Sequence, residues 1–319
     1  MNRYFSFFLL AFVLLNCTKE NKLLVDVSGV EVHPTFHRFD RMFYTASPDD
    51  LGALKQEFPY LFPAQNPDSV WINKMKDADE QELYKASNAI FPTFDQEEEA
   101  ITDLFKHVKY YYPAFKAPKV ISLISNVDYE TKVIYADSLM LVSLDLYLGA
   151  NSEIYQDFPN YLKQNFSKER LVVDVAEAIS RVQIPLSPDR TFVSRMIQEG
   201  KQLYLYDAYL PRVSDAIKIG YTPAQIAWAE GNQTEVWKYF VQKELLYSTD
   251  MDLSRRFIEP APFSKFFLES DNETPGSIGR WFGWQMVRAF MDKTNTSIPE
   301  LLKTPNETIF NKSKFKPAK

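Results

Sequence analysis

The spacing of apolar positions changes several times along the chain, and each change predicts a different element. Residues 4–15 are almost unbrokenly apolar after the lone cation Arg3. Twelve residues of helix cover only about 18 Å of a hydrocarbon core about 30 Å thick, which predicts a signal-peptide segment over 1–16 and not a spanning helix. From residue 23, LLVDVSGVEV alternates and predicts a first strand. Between 47 and 87 the period lengthens to that of a helix, in SPDDLGALKQEFPYLFP, PDSVWINKMKD and EQELYKASNAIF. A further helix over 97–112 has acids in its first turn and cations later, the order the helix dipole favours, and carries His107 as a surface or boundary residue and not a ligand.

Beyond Pro118 the period shortens again. KVISLISN, TKVIYADS and LMLVSLDLYLG are three β-rich runs separated by turn-like segments at 126–128 and 136–138, which predicts a small meander sheet whose last strand closes at DLYLG. Two amphipathic helices then follow, LVVDVAEAISRV and TFVSRMIQEGKQLYLY. The fold class expected from this order is α+β, mainly α.

Composition narrows the functional classes. A chain of 319 residues that is 45% hydrophobic buries a large core, and its formal net charge of −6 offers no basic field to nucleic acid. No glycine-rich phosphate loop occurs among only nine glycines, so neither a nucleotide nor a nucleic acid is an expected ligand. The single cysteine, Cys17, ends the apolar N-terminal run. The segment Leu14-Leu15-Asn16-Cys17 resembles the lipobox of bacterial lipoproteins, in which the cysteine thiol carries diacylglycerol and becomes the first mature residue; Asn16 stands where a small residue is usual. The resemblance implies a signal peptide over 1–16, lipidated Cys17 with a polar tether over 17–24, a single domain over 25–319, and a membrane anchor of covalent acyl lipid such as palmitate. His33 and His37 are four apart, but Pro34 between them predicts an extended or turn conformation and no metal site.

The stretch 171–206 carries the candidate chemistry. A small sheet, a helix, and a second helix with Glu-Gly resemble the order of gluzincin metallopeptidases, where two histidines of HExxH and a glutamate on the next helix hold zinc. The frame that superposes best sets Asp174-Val175-Ala176-Glu177-Ala178 on HExxH and Glu199 in the third-ligand place, 21 residues after Ala178. Valine accepts no proton and alanine ligates nothing, so Asp174, Ala178 and Glu199 form a vestigial frame, with no catalytic residue, metal or cofactor expected. The fold expected is a degenerate, zincin-like pseudoenzyme.

The C-terminal half carries a second resemblance. Ile219-Gly220-Tyr221-Thr222, the 232–246 helix with Trp237, the Ala261-Pro262-Phe263 turn and the 275–291 block PGSIGRWFGWQMVRAFM are similar to the gliding-motility lipoprotein B (GldB) family of Bacteroidetes. The resemblance implies a lipid-anchored cell-envelope protein facing the periplasm, required for gliding motility, with other gliding-machinery proteins as partners. In the 275–291 block, Gly279 and Gly283 admit close approach of another backbone or a bound chain, and Arg280, Trp281 and Trp284 are either core or a cleft wall. Arg280 and Arg288 are expected to pair with Asp271, Glu273 or Glu199, and the basic tail 311–319 to be a solvated end. The reading is a non-catalytic scaffold or binding protein; an envelope hydrolase with a carboxylate-only metal site and a peptidoglycan- or peptide-binding module are the alternatives.

Overall fold

The computed structural model describes residues 22–136 and 138–317; the expected signal segment, Cys17 and most of the expected tether lie outside the described residues. The predicted first strand over 23–32 is irregular instead, and β1 is only Thr35–His37. The alternation of 23–32 is real, but Ser28-Gly29 turns the chain before any partner strand is reached.

Four helices follow, α1 Phe39–Tyr44, α2 Leu51–Glu57, α3 Asp68–Lys76 and α4 Ala78–Ile90. The Asp77 carboxylate caps α4 by accepting from the amides of Asp79 and Glu80. Helix α5, Asp95–Tyr111, covers the predicted 97–112 segment, but His107 is fully buried on it, not at its surface, with Nδ1 2.8 Å from the Asp103 carbonyl. Its apolar neighbours Leu104, Phe105 and Val108 form the core face, and His107 is carried in with them.

The three predicted strands exist as β2 Lys119–Leu123, β3 Val133–Ala136 and β4 Leu139–Ser143. They are not a meander. The sheet order is β1-β2-β4-β3, with β1, β2 and β4 parallel and β3 antiparallel at the edge. The last strand closes at Ser143, before DLYLG, and the chain leaves the sheet through a 3₁₀ turn over Leu144–Leu146. Successive β2 side chains point to opposite faces. Val120, with Met140 and Val142 of β4, enters the main core, and Ile121 enters a second apolar cluster with Phe43, Leu54, Phe58, Phe62 and Met75. Helices α1–α4 therefore cover one face of the sheet, and the helices that carry the candidate site lie against the other.

The short helix α6 Asn160–Lys163 leads to α7 Leu171–Gln183 and α8 Phe192–Tyr209, the two amphipathic helices the sequence predicts. Thr191 caps α8 by accepting from the Ser194 amide. Helices α9 Asp215–Ile219, α10 Pro223–Gly231, α11 Gln233–Gln242 and α12 Asp252–Phe257 lead to α13 Ile278–Lys293, α14 Ile298–Lys303 and α15 Asn306–Ser313. The C-terminal tail is not simply solvated, because the Phe315 ring packs edge-on against Trp237 at 5.2 Å.

Helices α8 and α13 touch backbone to backbone. A Cβ on Gly283 would stand 1.7 Å from the Met196 carbonyl oxygen, and one on Gly200 2.2 Å from the Gly283 carbonyl oxygen. The small residues of the 275–291 block thus serve the approach of another backbone of this chain. Around the crossing, the Asp207 carboxylate is buried and accepts from Lys218 Nζ at 2.9 Å, Trp284 Nε1 at 2.8 Å and Arg288 Nη2 at 2.7 Å. Arg288 also forks onto Asp215, so this network ties α8, α9 and α13 together.

Candidate functional site

A groove runs between α7, the edge strand β3 and the loop at Pro260. Its larger chamber, about 730 Å³, is lined by Tyr129, Lys132, Val133, Tyr161, Arg170, Asp174, Ala178 and others. An adjoining chamber of about 430 Å³ is lined by Ile184, Leu186, Gln198, Glu199, Gln202 and Glu259. Glu177, Arg181, Pro260 and Arg280 belong to both walls.

The rim is set by a strained turn. Asn126 and Val127 adopt φ of 60° and 58°, a left-handed conformation that is costly for a β-branched residue. Asp145 holds it there, its buried carboxylate accepting from the Val127 amide at 2.7 Å and the Ser125 amide at 3.0 Å. Burial raises the Asp145 pKa, and those amides oppose the rise by favouring the charged form. The turn directs Tyr129 and Lys132 to the larger chamber.

The floor is a chain of ion pairs. Arg170 donates from Nε to Asp174 Oδ1 at 2.8 Å and from Nη1 to the carbonyls of Ile217 and Lys218 at 2.5 and 2.9 Å, joining α7 to α9. Burial opposes the Arg170 charge, but Asp174 and Glu177 more than offset it, and its pKa lies above the usual value. The other Asp174 oxygen accepts from Tyr147 Oη at 3.1 Å and Lys132 Nζ at 3.4 Å. Burial, then the Asp174 charge, pushes the Tyr147 pKa well above its ordinary value, so it donates as a neutral phenol. Glu177 pairs with Arg181 at 2.5 Å and lies 3.6 Å from Arg170. Glu199 Oε2 is 3.1 Å from Arg280 Nε, yet the Nε–H is buried and makes no hydrogen bond, so this contact is a charge pair off the N–H axis.

The predicted residues are distributed as follows. Asp174 and Ala178 line the larger chamber, while Glu199 lines the smaller one beyond Arg280. Val175 and Ala176 are fully buried. Trp281 and Trp284 pack in the core, and of that trio Arg280 lines the groove. Arg280 pairs with Glu199, and Arg288 with Asp207 and Asp215. His37 lies in β1 beside Glu57, away from these chambers. Among the described residues no three His, Cys, Asp or Glu side chains converge as they would to hold a metal ion.

Sequence reasoning missed Arg170, Lys132, Arg181 and Tyr147. Arg170, Asp174, Glu177 and Arg181 carry a legible signal, since opposite charges three or four apart share one helix face. Lys132 and Tyr147 reach Asp174 through tertiary structure alone.

No described helix is long and apolar enough to cross a membrane. No curated protein and no solved structure matches the chain significantly. The family model described as gliding motility protein GldB matches residues 20–317. That match spans nearly the whole sequence, and the chain belongs to the GldB gliding-motility lipoprotein family.

Proposed function

We propose that this protein is anchored in the cell envelope by lipid on Cys17, facing the periplasm, and serves gliding motility as a non-catalytic binding protein whose ligand occupies the groove beside α7. One observation carries this reading. Each carboxylate on the groove floor already faces a cation: Asp174 faces Arg170 and Lys132, Glu177 faces Arg181, and Glu199 faces Arg280. A carboxylate that binds a metal or activates water needs its lone pairs for that purpose; those of Asp174 and Glu177 accept from Arg170, Lys132 and Arg181, and Glu199 is held in a charge pair with Arg280. The position that the metallopeptidase frame gives to the general base is Val175, a fully buried hydrocarbon. Other envelope proteins of the gliding machinery are the natural partners.

The test is direct. Full-length protein is assayed for stoichiometric zinc and for cleavage of peptide and peptidoglycan substrates. The account expects neither bound zinc nor cleavage. Stoichiometric zinc together with cleavage abolished by a chelator refutes it in favour of the hydrolase.

A further inference from the structure

We infer that the groove receives an extended peptide segment of a partner protein and that Arg280 takes a carboxylate of that segment; this rests on the binding reading above and names its ligand. Three independent features converge on it.

The first is the state of Arg280. It stands on the wall common to both chambers, its Nε–H is buried without a hydrogen bond, and the exposed 17% of its side chain faces the space it lines. The neighbouring cations are hydrogen-bonded within the fold, Arg170 to Asp174 and two carbonyls, Arg181 to Glu177 and Lys132 to Asp174, whereas Arg280 meets Glu199 only as a charge pair off the N–H axis. A guanidinium presents its donors as a planar fork that fits a carboxylate, so a ligand carboxylate meets the exposed part of the Arg280 side chain. Glu130 and Glu259 also line the chambers, so a diffuse positive field does not select the ligand; the local fork does.

The second feature is the sheet edge. β3 is the last strand of the sheet. The Ser143 amide donates to the Lys132 carbonyl at 3.0 Å, and the register pairs Val133 with Val142. In an antiparallel ladder the hydrogen-bonded pairs alternate, so Val133 turns its amide and carbonyl away from β4. Val133 also lines the larger chamber. A peptide laid along this edge gains main-chain hydrogen bonds with a defined direction, which a glycan does not offer.

The third is an apolar lip. Val182 and Leu186, 67% and 91% exposed, line the larger and smaller chambers respectively. They supply contact for apolar side chains on either side of the acidic residue.

The experiment pans a phage library of random dodecapeptides against detergent-solubilised full-length protein and measures synthetic copies of the enriched peptides by fluorescence anisotropy. Enriched peptides are expected to share an Asp or Glu, or to use their C-terminal carboxylate, between apolar residues. Neutralising that carboxylate should weaken binding to the unaltered protein about tenfold or more, and Arg280→Gln should reproduce the loss. Val133→Pro, which removes an amide that β4 does not use, should weaken every peptide about tenfold, while Ile134→Thr on the exposed face changes affinity less than about twofold. The inference is overturned if no peptide is enriched, if the neutralised peptide binds equally well, if Val133→Pro has no effect, or if peptidoglycan fragments bind in place of peptides. A protein that binds no peptide, and neither holds zinc nor cleaves substrate, sinks this inference and leaves the non-catalytic reading standing.

Discussion

Arg280 on α13 and Glu199 on α8 meet 3.1 Å apart on the wall of the groove, one residue from Gly200 and three from Gly283, where the two helices touch. The close crossing and the ion pair are one construction. Two wider helices would set these side chains farther apart and open the wall between the chambers.

The crossing therefore tolerates no side chain at Gly283. Gly283→Ala is expected to destabilise the protein by about 3 kcal/mol in urea denaturation, because the added methyl meets a backbone carbonyl that cannot turn aside. Gly52→Ala is the control: it lies in α2 with nothing within 4 Å of a new Cβ, and should be neutral or stabilising by about 0.5 kcal/mol.

Removing one partner of the buried Arg170–Asp174 pair should be worse than removing both. Arg170→Met takes the donor from one oxygen of the buried Asp174 carboxylate and from two carbonyls, leaving Tyr147 and Lys132 on the other oxygen, and should cost about 3 kcal/mol. The double change Arg170→Met, Asp174→Leu should cost clearly less than the sum of the single changes, as a double-mutant cycle would report.

Lys201 gives the protein a pH signature. It is buried on α8 with its Nζ donating to the carbonyl of Thr304 at 2.8 Å, and burial lowers its pKa to about 8. The unfolded value is about 10.4. Between the two, the unfolded chain binds more protons than the folded one, so stability rises with pH from about 8 to about 10. Above that, unfolded tyrosines ionise while buried Tyr147, Tyr206 and Tyr209 stay neutral in the fold, and stability falls. Lys201→Met should abolish the rise and leave the fall, measured as denaturation midpoints across pH 7–11.

Helices α5, α7 and α8 were legible in the sequence because each presents a continuous apolar stripe over three or more turns. β2, β3 and β4 were legible as strands, but their order was not, and the first strand expected over 23–32 gave way to the short β1 at Thr35–His37. The hairpin spacing of β3 and β4 is local, whereas the parallel pairing of β2 with β4 and of β1 with β2 depends on contacts that no periodicity encodes. The same limit applies to the site. The charges of α7 are visible at helical spacing, but their neutralisation by Lys132 and the reach of Arg280 to Glu199 come from elements over 40 and over 80 residues away. His107 misled because a histidine between Lys106 and Val108 has no local mark of burial.

The role of the groove carboxylates is tested most directly in gliding cells whose only copy of the protein carries Glu199→Gln. The account predicts that these cells spread and glide as the unaltered strain does, with the variant present at normal level, because the groove works by binding and Arg280 remains to receive its ligand. Loss of gliding with normal amounts of folded protein would contradict it and make the Glu199 carboxylate itself part of the function.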